Sequence, residues 1–220
     1  MAIKNKRPQE LVWIDRIAQQ FKTRDRALIV PIGDDAAAVR FSPDRCLLYT
    51  VDMLVEGTHF KKGEDLRRVG YKAMAVSASD IAAMGAEPKY ALVSVGLPPG
   101  MPRAAMNGLL AGLKRASRLF GVAIIGGDMN RSDRLVVDVF MIGQAHPARL
   151  ARRSGARPGD ALFVSGPLGN TLGGKHLDFV PRLDASRFLM RHFRIRAMMD
   201  LSDGLAMDLN RLCVASRAGA

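Results

Sequence analysis

The sequence predicts an α+β fold, with an N-terminal domain on a mixed sheet followed by an incomplete α/β domain. Three observations lead there. Between residues 27 and 145 the segments run β, β, α, β, α, β, β, an order that builds a mixed sheet with helices packed on it. From Pro147 to Asp160 the chain turns basic, contains Gly and Pro, and loses regular pattern, which sets a boundary between residues 1–147 and 148–220. At roughly 150 residues per domain, the 220 residues amount to one domain and a half.

Each element has its own signal. Pro8 suits a first helical turn, and Leu11, Ile14, Ile17, Ala18 and Phe21 recur on one face, so an amphipathic helix runs to about Thr23. Ala27 to Pro31 is a short apolar strand entering Gly33-Asp34-Asp35, and Arg45 to Asp52 is a strand with β-branched and aromatic content. Asp65 to Ala86 is a long helix rich in Ala and Met, closed by Gly85 and Pro88. Tyr90 to Leu97 is a strand. Pro102 to Phe120 is a helix capped by Gly121, carrying Met106, Leu109, Leu110, Leu113 and Leu119. Val122 to Ile125 and Arg134 to Ala145 are strands. Beyond the boundary, a strand (Ala161 to Ser165), a Gly-rich loop, a basic helix (Ala185 to Arg196) and a helix from Ser202 are expected.

Composition removes several classes. Hydrophobic residues are 48% and charged residues 25% of the chain, which is globular. No run reaches the roughly 18 apolar residues that span a bilayer, and the basic N-terminus lacks a secretion signal's apolar core. Cys46 and Cys213 stand far apart with no metal-ligand spacing, so a cytoplasmic location is expected. Of the net charge of +12, residues 1–100 carry +3 and residues 101–220 carry +9. The densest run (Arg182, Arg187, Arg191, Arg194, Arg196) includes Phe188 and Phe193 but matches no aromatic RNA-binding motif. A partner that is small and phosphorylated fits this surface better than a specific nucleic acid.

Carboxylates at strand ends and turns carry the chemistry. Asp34 and Asp35 follow the first strand, Asp52 ends the second, Asp128 follows IIGG, and Asp200 and Asp203 lie at the start of the last helix. Singly, such residues are caps or turn formers. Asp80 is different, because it interrupts a small, apolar helix face, where an unpaired carboxylate requires a cation or strong donors. With no Cys/His cluster, convergent carboxylates favour a hard ion, Mg²⁺ or Ca²⁺, and Mg²⁺ commonly shares its shell with phosphates. Gly126-Gly127 would let backbone amides approach a phosphate, and Ser202 and Asp203 would open a helix whose N-terminus favours anions.

One motif misleads. Gly169 to Lys175 (GNTLGGK) matches most of a Walker A loop. His176 replaces the metal-ligating hydroxyl, and Pro181 stops the helix that should follow, which argues against a P-loop.

Together the segments IGDDAAAV (32–39), TVDMLVEGTHF (50–60), GYKAMAVSASDIAAMGAEP (70–88), IIGGDMNRS (124–132), RRSGARPGD (152–160) and MMDLSDGL (198–205) resemble the thiamine-monophosphate kinase family. Its superfamily also holds aminoimidazole ribonucleotide synthetase and selenophosphate synthetase. The resemblance implies ATP-dependent, Mg²⁺-dependent phosphorylation of thiamine monophosphate by direct in-line transfer, with several Mg²⁺ ions. Carried over by position, the metal ligands are Asp35, Thr50, Asp52, Asp80, Asp128, Asp200 and Asp203. The ATP contacts are Gly127, Asp128, Arg153 and Ser202, and His59 touches the thiamine phosphate. The resemblance also implies a homodimer whose N-terminal sheets pair.

The sequence departs from that pattern in places. Val51 stands where a second hydroxyl is common, Met129 replaces a threonine after GGD, Ser77 a frequent asparagine, and Leu110 a frequent tyrosine. The family's later Gly-Gly-Glu-Asp-Tyr segment and thiazole-holding aromatic are not in these 220 residues. The apolar face of the last helix (Leu205, Leu209, Leu212, Val214) is therefore expected to be exposed. Two alternatives follow: a non-catalytic nucleotide-binding and dimerisation fragment, or a sibling synthetase, which lacks support because no Cys-Lys pair of the selenophosphate type is present near the N-terminus.

Overall fold

The computed structural model describes residues 9–219. Pro8 and the side chain of Leu11 lie outside the described residues. In chain order the elements are α1 (Gln9–Gln20), β1 (Leu28–Val30), β2 (Ala37–Ser42), β3 (Arg45–Val55), α2 (Leu66–Ala83), β4 (Glu87–Leu97), α3 (Arg103–Phe120), β5 (Ala123–Arg131), β6 (Val136–Ala145), α4 (Lys175–Asp178), α5 (Leu183–His192) and α6 (Leu205–Ser216). The six strands form one sheet in the order β1-β2-β3-β6-β4-β5. Only β4 and β5 pair in parallel, so the sheet is mixed as expected. A parallel neighbour requires a crossover, and α3 supplies it.

Alternation along β3 explains the layers. Cys46, Leu48, Thr50 and Leu54 are buried against α2, whereas Val51 and Met53 between them are exposed. Register carries the same division across the sheet: Val51 lies opposite Phe140, which lies opposite Leu92, and Met53–Asp138–Ser94–Asp128 form the next row. The helix-facing side is the core, with Leu48, Met74, Ile81, Leu109, Val137, Val139 and Met141 fully buried. The opposite side has no covering layer among the described residues.

Two glycines set the helix layer. A Cβ on Gly70 would stand 2.3 Å from the Leu109 carbonyl oxygen, and one on Gly112 would stand 2.0 Å from the Arg67 carbonyl oxygen. The two helices therefore touch backbone to backbone, which only glycine allows at these points. Asp65 caps α2 by accepting the Arg67 amide at 2.9 Å, and Gly121 ends α3 in the left-handed region at φ 68°.

The second half of the chain wraps α2. The Tyr71 hydroxyl donates to the Phe179 carbonyl at 3.1 Å, Ser186 donates to the Ala82 carbonyl at 2.6 Å, and Arg68 pairs with Asp178 at 2.6 Å. Leu177 on α4 joins the core.

The structure corrects several expectations. β2 is absent from the sequence expectations, because its opening run Ala37-Ala38-Val39 carries no alternation of polar and apolar residues. β3 runs past Asp52 to Val55, and β5 runs past Ile125 to Arg131, so Gly126, Gly127 and Asp128 lie inside a strand instead of a turn. No strand forms over 161–165; Phe163 is 87% exposed, and an apolar run without a neighbouring edge has nothing to pair with. α5 stops at His192, short of Arg196, and α6 begins at Leu205 instead of Ser202. α1 forms, but Ile17 and Phe21 stay exposed. On α6, Leu205 and Val214 are exposed and Leu209 and Leu212 half-buried.

Candidate metal and phosphate site

Four separated segments place carboxylates together above the helix-facing side of the sheet. Asp35 follows the turn after β1, Asp52 lies on β3, Asp80 on the last turns of α2, and Asp200 in the extended stretch before α6. Oxygens of Asp35, Asp80 and Asp200 lie within 4.8 Å of one another. Hydroxyls hold this group from the core side: Thr50 donates to Asp80 Oδ2 at 2.6 Å, and Ser77 contacts Asp52 Oδ2 at 2.9 Å.

Asp34 takes a different part. Its carboxylate accepts the Asp35 amide at 3.0 Å and, through both oxygens, the Arg153 amide at 3.2 Å. That fastens the 152–160 segment to the turn after β1 and directs the Arg153 side chain at Asp35. Arg153 Nε donates to Asp35 Oδ1 at 3.1 Å, and Nη2 makes a closer contact with the same oxygen.

The electrostatics follow from crowding like charges where water is scarce. Burial, reinforced by the charges of Asp52 and Asp200, pushes the Asp80 carboxyl up to about 9. Burial pushes Asp35 up to about 7 although Arg153 opposes it, and Asp200 up to about 6. Asp34 and Asp52 are raised by the same cause. The Asp35 side chain is wholly buried, and its Oδ2 has no hydrogen-bond partner.

Three convergent carboxylate donors, one of them with a buried oxygen that has no partner, are what a hard divalent cation requires, and Arg153 balances part of their charge while the cation is absent. The residues present fit Mg²⁺.

Other expected site residues lie elsewhere. Asp128 is exposed on β5, receives a hydrogen bond from Asn130 at 2.7 Å, and borders a hollow of about 260 Å³ with Met53, Ser94 and Asp138 on the open face. Asp138 contributes a second buried oxygen without a partner, Oδ1, and burial raises its carboxyl. Gly127 is required by strand contact, since a Cβ there would stand 1.8 Å from the Val93 carbonyl oxygen. Val51 points to the open face, so its lost hydroxyl takes no oxygen from the Asp35–Asp80–Asp200 group.

Near α6 the reading changes. Asp203 is exposed and pairs with Arg211 at 2.6 Å. The amides of Ser202 and Asp203 donate to Asp208 Oδ2 at 2.9 and 3.0 Å. Asp208, fully buried and braced by Arg211 at 2.9 Å, therefore takes the donors that a helix start at Ser202 would have offered to an anion. Sequence reasoning missed Asp208; its one signal was an acidic residue spaced to reach back to the preceding turn.

His59 sits in the loop after β3, exposed, with Nδ1 accepting the Val55 amide at 3.0 Å. In the neutral ring this leaves the proton on Nε2, facing outward as a donor. Lys72 fixes the loop by donating to the His59 carbonyl at 2.8 Å, and burial lowers the lysine's pKa. The Walker-like segment folds as a 3₁₀ turn (Thr171–Gly173) leading into α4, and Lys175 donates to the Pro167 carbonyl at 2.6 Å.

Comparison with known proteins adds an independent line. The model of the family "AIR synthase related protein, N-terminal domain" matches residues 33–145. Among curated relatives, the thiamine-monophosphate kinase of Rhodopirellula baltica is 40% identical over 200 residues, covering 87% of this chain and 63% of that protein. The Aquifex aeolicus enzyme of the same name is 35% identical, covering 86% and 66%. That of Buchnera aphidicola is 32% identical, covering 96% and 71%. A solved structure titled "AaThiL complexed with AMPPCP and TMP" superposes with a TM-score of 0.83 at 31% identity, covering 97% of this chain and 73% of its own. The chain spans just under two thirds of the length of the first two of these relatives.

Proposed function

Because the chain belongs to the thiamine-monophosphate kinase family, with an AIR synthase related N-terminal domain, we propose that it transfers the γ-phosphoryl group of ATP to thiamine monophosphate, giving thiamine diphosphate and ADP. The observation that carries the proposal is the convergence of Asp35, Asp80 and Asp200 within 4.8 Å. In-line phosphoryl transfer demands positioning and charge neutralisation more than covalent work by side chains. In the reaction an oxygen of the acceptor phosphate attacks the γ-phosphorus, and the bond to the β-bridging oxygen breaks.

The chain's own residues divide that work. Asp35, Asp80 and Asp200, together with Thr50 and Asp52, would hold Mg²⁺, and we assign Asp128 and Asp203 to further Mg²⁺ ions carried with the nucleotide. When bound, Mg²⁺ supplies charge neutralisation for the phosphates. Arg153, a forked donor, binds a phosphate oxygen. Gly127 and Asp128 would contact ATP, as would Ser202 through its hydroxyl, its amide being held by Asp208, and His59 would offer its Nε2–H to the thiamine phosphate.

We divide the chain into an N-terminal domain, residues 1–147, and a second domain from 148. We also propose a homodimer through the open sheet face, supported by the exposure of Val51, Met53, Tyr90 and Leu92 there. The cytoplasm is the proposed compartment, where the free thiols of Cys46 and Cys213 persist; no described helix is long and apolar enough to cross a membrane.

Incubation with ATP, thiamine monophosphate and Mg²⁺, followed by chromatographic detection of thiamine diphosphate, tests the reaction. Product that requires Mg²⁺ supports it; no product overturns it for this chain. The shared coverage of just under two thirds of the first relatives keeps one alternative, nucleotide binding without turnover. Mg²⁺-dependent ATP binding in a calorimeter, with no diphosphate formed, would identify that case.

A further inference from the structure

We propose that Ser77 is a positioning residue, whose hydroxyl fixes the Asp52 carboxylate for a divalent cation held between β3 and α2. The inference rests on the kinase reading above and names a residue that its ligand set leaves out.

Ser77 is 0% exposed, one turn before Asp80 on α2. Its Oγ lies 2.9 Å from Asp52 Oδ2 and 3.2 Å from the Val139 carbonyl oxygen. A hydroxyl carries one proton, and a charged acceptor makes the stronger hydrogen bond, so an ionised Asp52 takes it. Across the gap Thr50 donates to Asp80 Oδ2. Each of two facing carboxylates is thus held at one oxygen by a buried hydroxyl, with Ser77 working from helix to strand and Thr50 from strand to helix.

Packing gives no other reason for the hydroxyl. Apart from Asp80 one turn on, the neighbours of Ser77 along α2 are Ala73, Met74, Ala78 and Ile81, all buried and apolar. Alanine would fill nearly the same space and favours a helix more. A polar atom retained there serves an acceptor, and the near charged one is Asp52. Holding Oδ2 fixes the plane of the carboxylate and with it the direction of Oδ1. Partners of this kind commonly contribute about 10–100-fold to metal affinity.

The test uses Mn²⁺ as the probe on the whole 220-residue chain, with free Mn²⁺ counted by electron paramagnetic resonance. Ser77→Ala should weaken Mn²⁺ binding at least about tenfold and raise the Mg²⁺ concentration needed for half-maximal turnover, with KM for thiamine monophosphate unchanged. Ser77→Thr, which keeps the hydroxyl, should retain the affinity. Ser117→Ala, which removes a hydroxyl bound to the Val122 carbonyl at the far end of α3, controls for general loosening. Mn²⁺ affinity in Ser77→Ala equal to wild type overturns the proposal, and so does equal weakening in Ser117→Ala. A wild-type chain that binds no Mn²⁺ overturns the kinase reading as well, whereas wild-type binding with an unaffected Ser77→Ala overturns only the role of Ser77.

Discussion

Arg153 and Asp35 stand 118 positions apart in the chain and meet in an ion pair, Nε to Oδ1 at 3.1 Å, with the carboxylate side chain wholly buried. The pair ties the turn after β1 to the segment that follows the N-terminal domain. It also sets one guanidinium against the most enclosed carboxylate of the candidate site.

Removing the guanidinium leaves that carboxylate buried without a counter-charge. Arg153→Gln should destabilise the metal-free protein by about 1–3 kcal/mol, since Asp35 escapes part of the penalty by taking up a proton. Urea unfolding at pH 7 with EDTA measures this, and added Mg²⁺ should narrow the difference.

The raised carboxyls predict a pH dependence of definite sign. Asp80, Asp35 and Asp200 have folded-state values of about 9, 7 and 6, all above the ordinary value of 3.8. The folded state therefore binds more protons than the unfolded one across that window, and stability falls as pH rises. This contribution is complete below about pH 3.8 and is lost progressively from there to about pH 9, most steeply up to about pH 6, where all three groups contribute, and above about pH 7 through Asp80 alone. Thermal midpoints measured with EDTA from pH 5 to 9 should decline, and Asp80→Asn should flatten the upper part of the curve.

The helix layer depends on a backbone contact. Gly112→Ala would force a Cβ to within 2.0 Å of the Arg67 carbonyl oxygen. Overpacking of this kind costs about 1–3 kcal/mol, and the rigid backbone target puts the change at the upper end. A urea midpoint matching wild type would refute the close contact of α2 and α3.

If the open sheet face joins two copies, a charge at its centre should separate them. Leu92→Asp lies in the row with Phe140 and Val51. Sedimentation analysis should find a dimer in the wild type and a monomer in the variant, with far-ultraviolet circular dichroism unchanged. A wild-type monomer would refute the assembly.

The sequence made the frame legible wherever one local signal dominated. The β-branched and aromatic content of β3 and the Ala/Met face of α2 named their elements, and Asp80, a carboxylate in an apolar helix, points to the site from the sequence alone. What escaped depended on distant partners. β5 could be seen only to Ile125, because Gly126-Gly127 reads as a turn until Val93 lies against it. Ala161 to Ser165 has strand composition but no strand to pair with, and Asp208 gained its role only by folding back to the amides of Ser202 and Asp203. The positions of Asp35, Asp52 and Asp200 in the chain were plain. Their meeting depends on Arg153 and on the hydroxyls of Thr50 and Ser77, which no spacing announces.

The central claim is that carboxylates from three distant segments form one cation site. Mn²⁺ titration of Asp35→Asn, Asp80→Asn and Asp200→Asn against wild type tests it most directly. Binding by the wild-type chain, weakened at least about tenfold in each variant, is the predicted result; three variants that bind Mn²⁺ like wild type would contradict it.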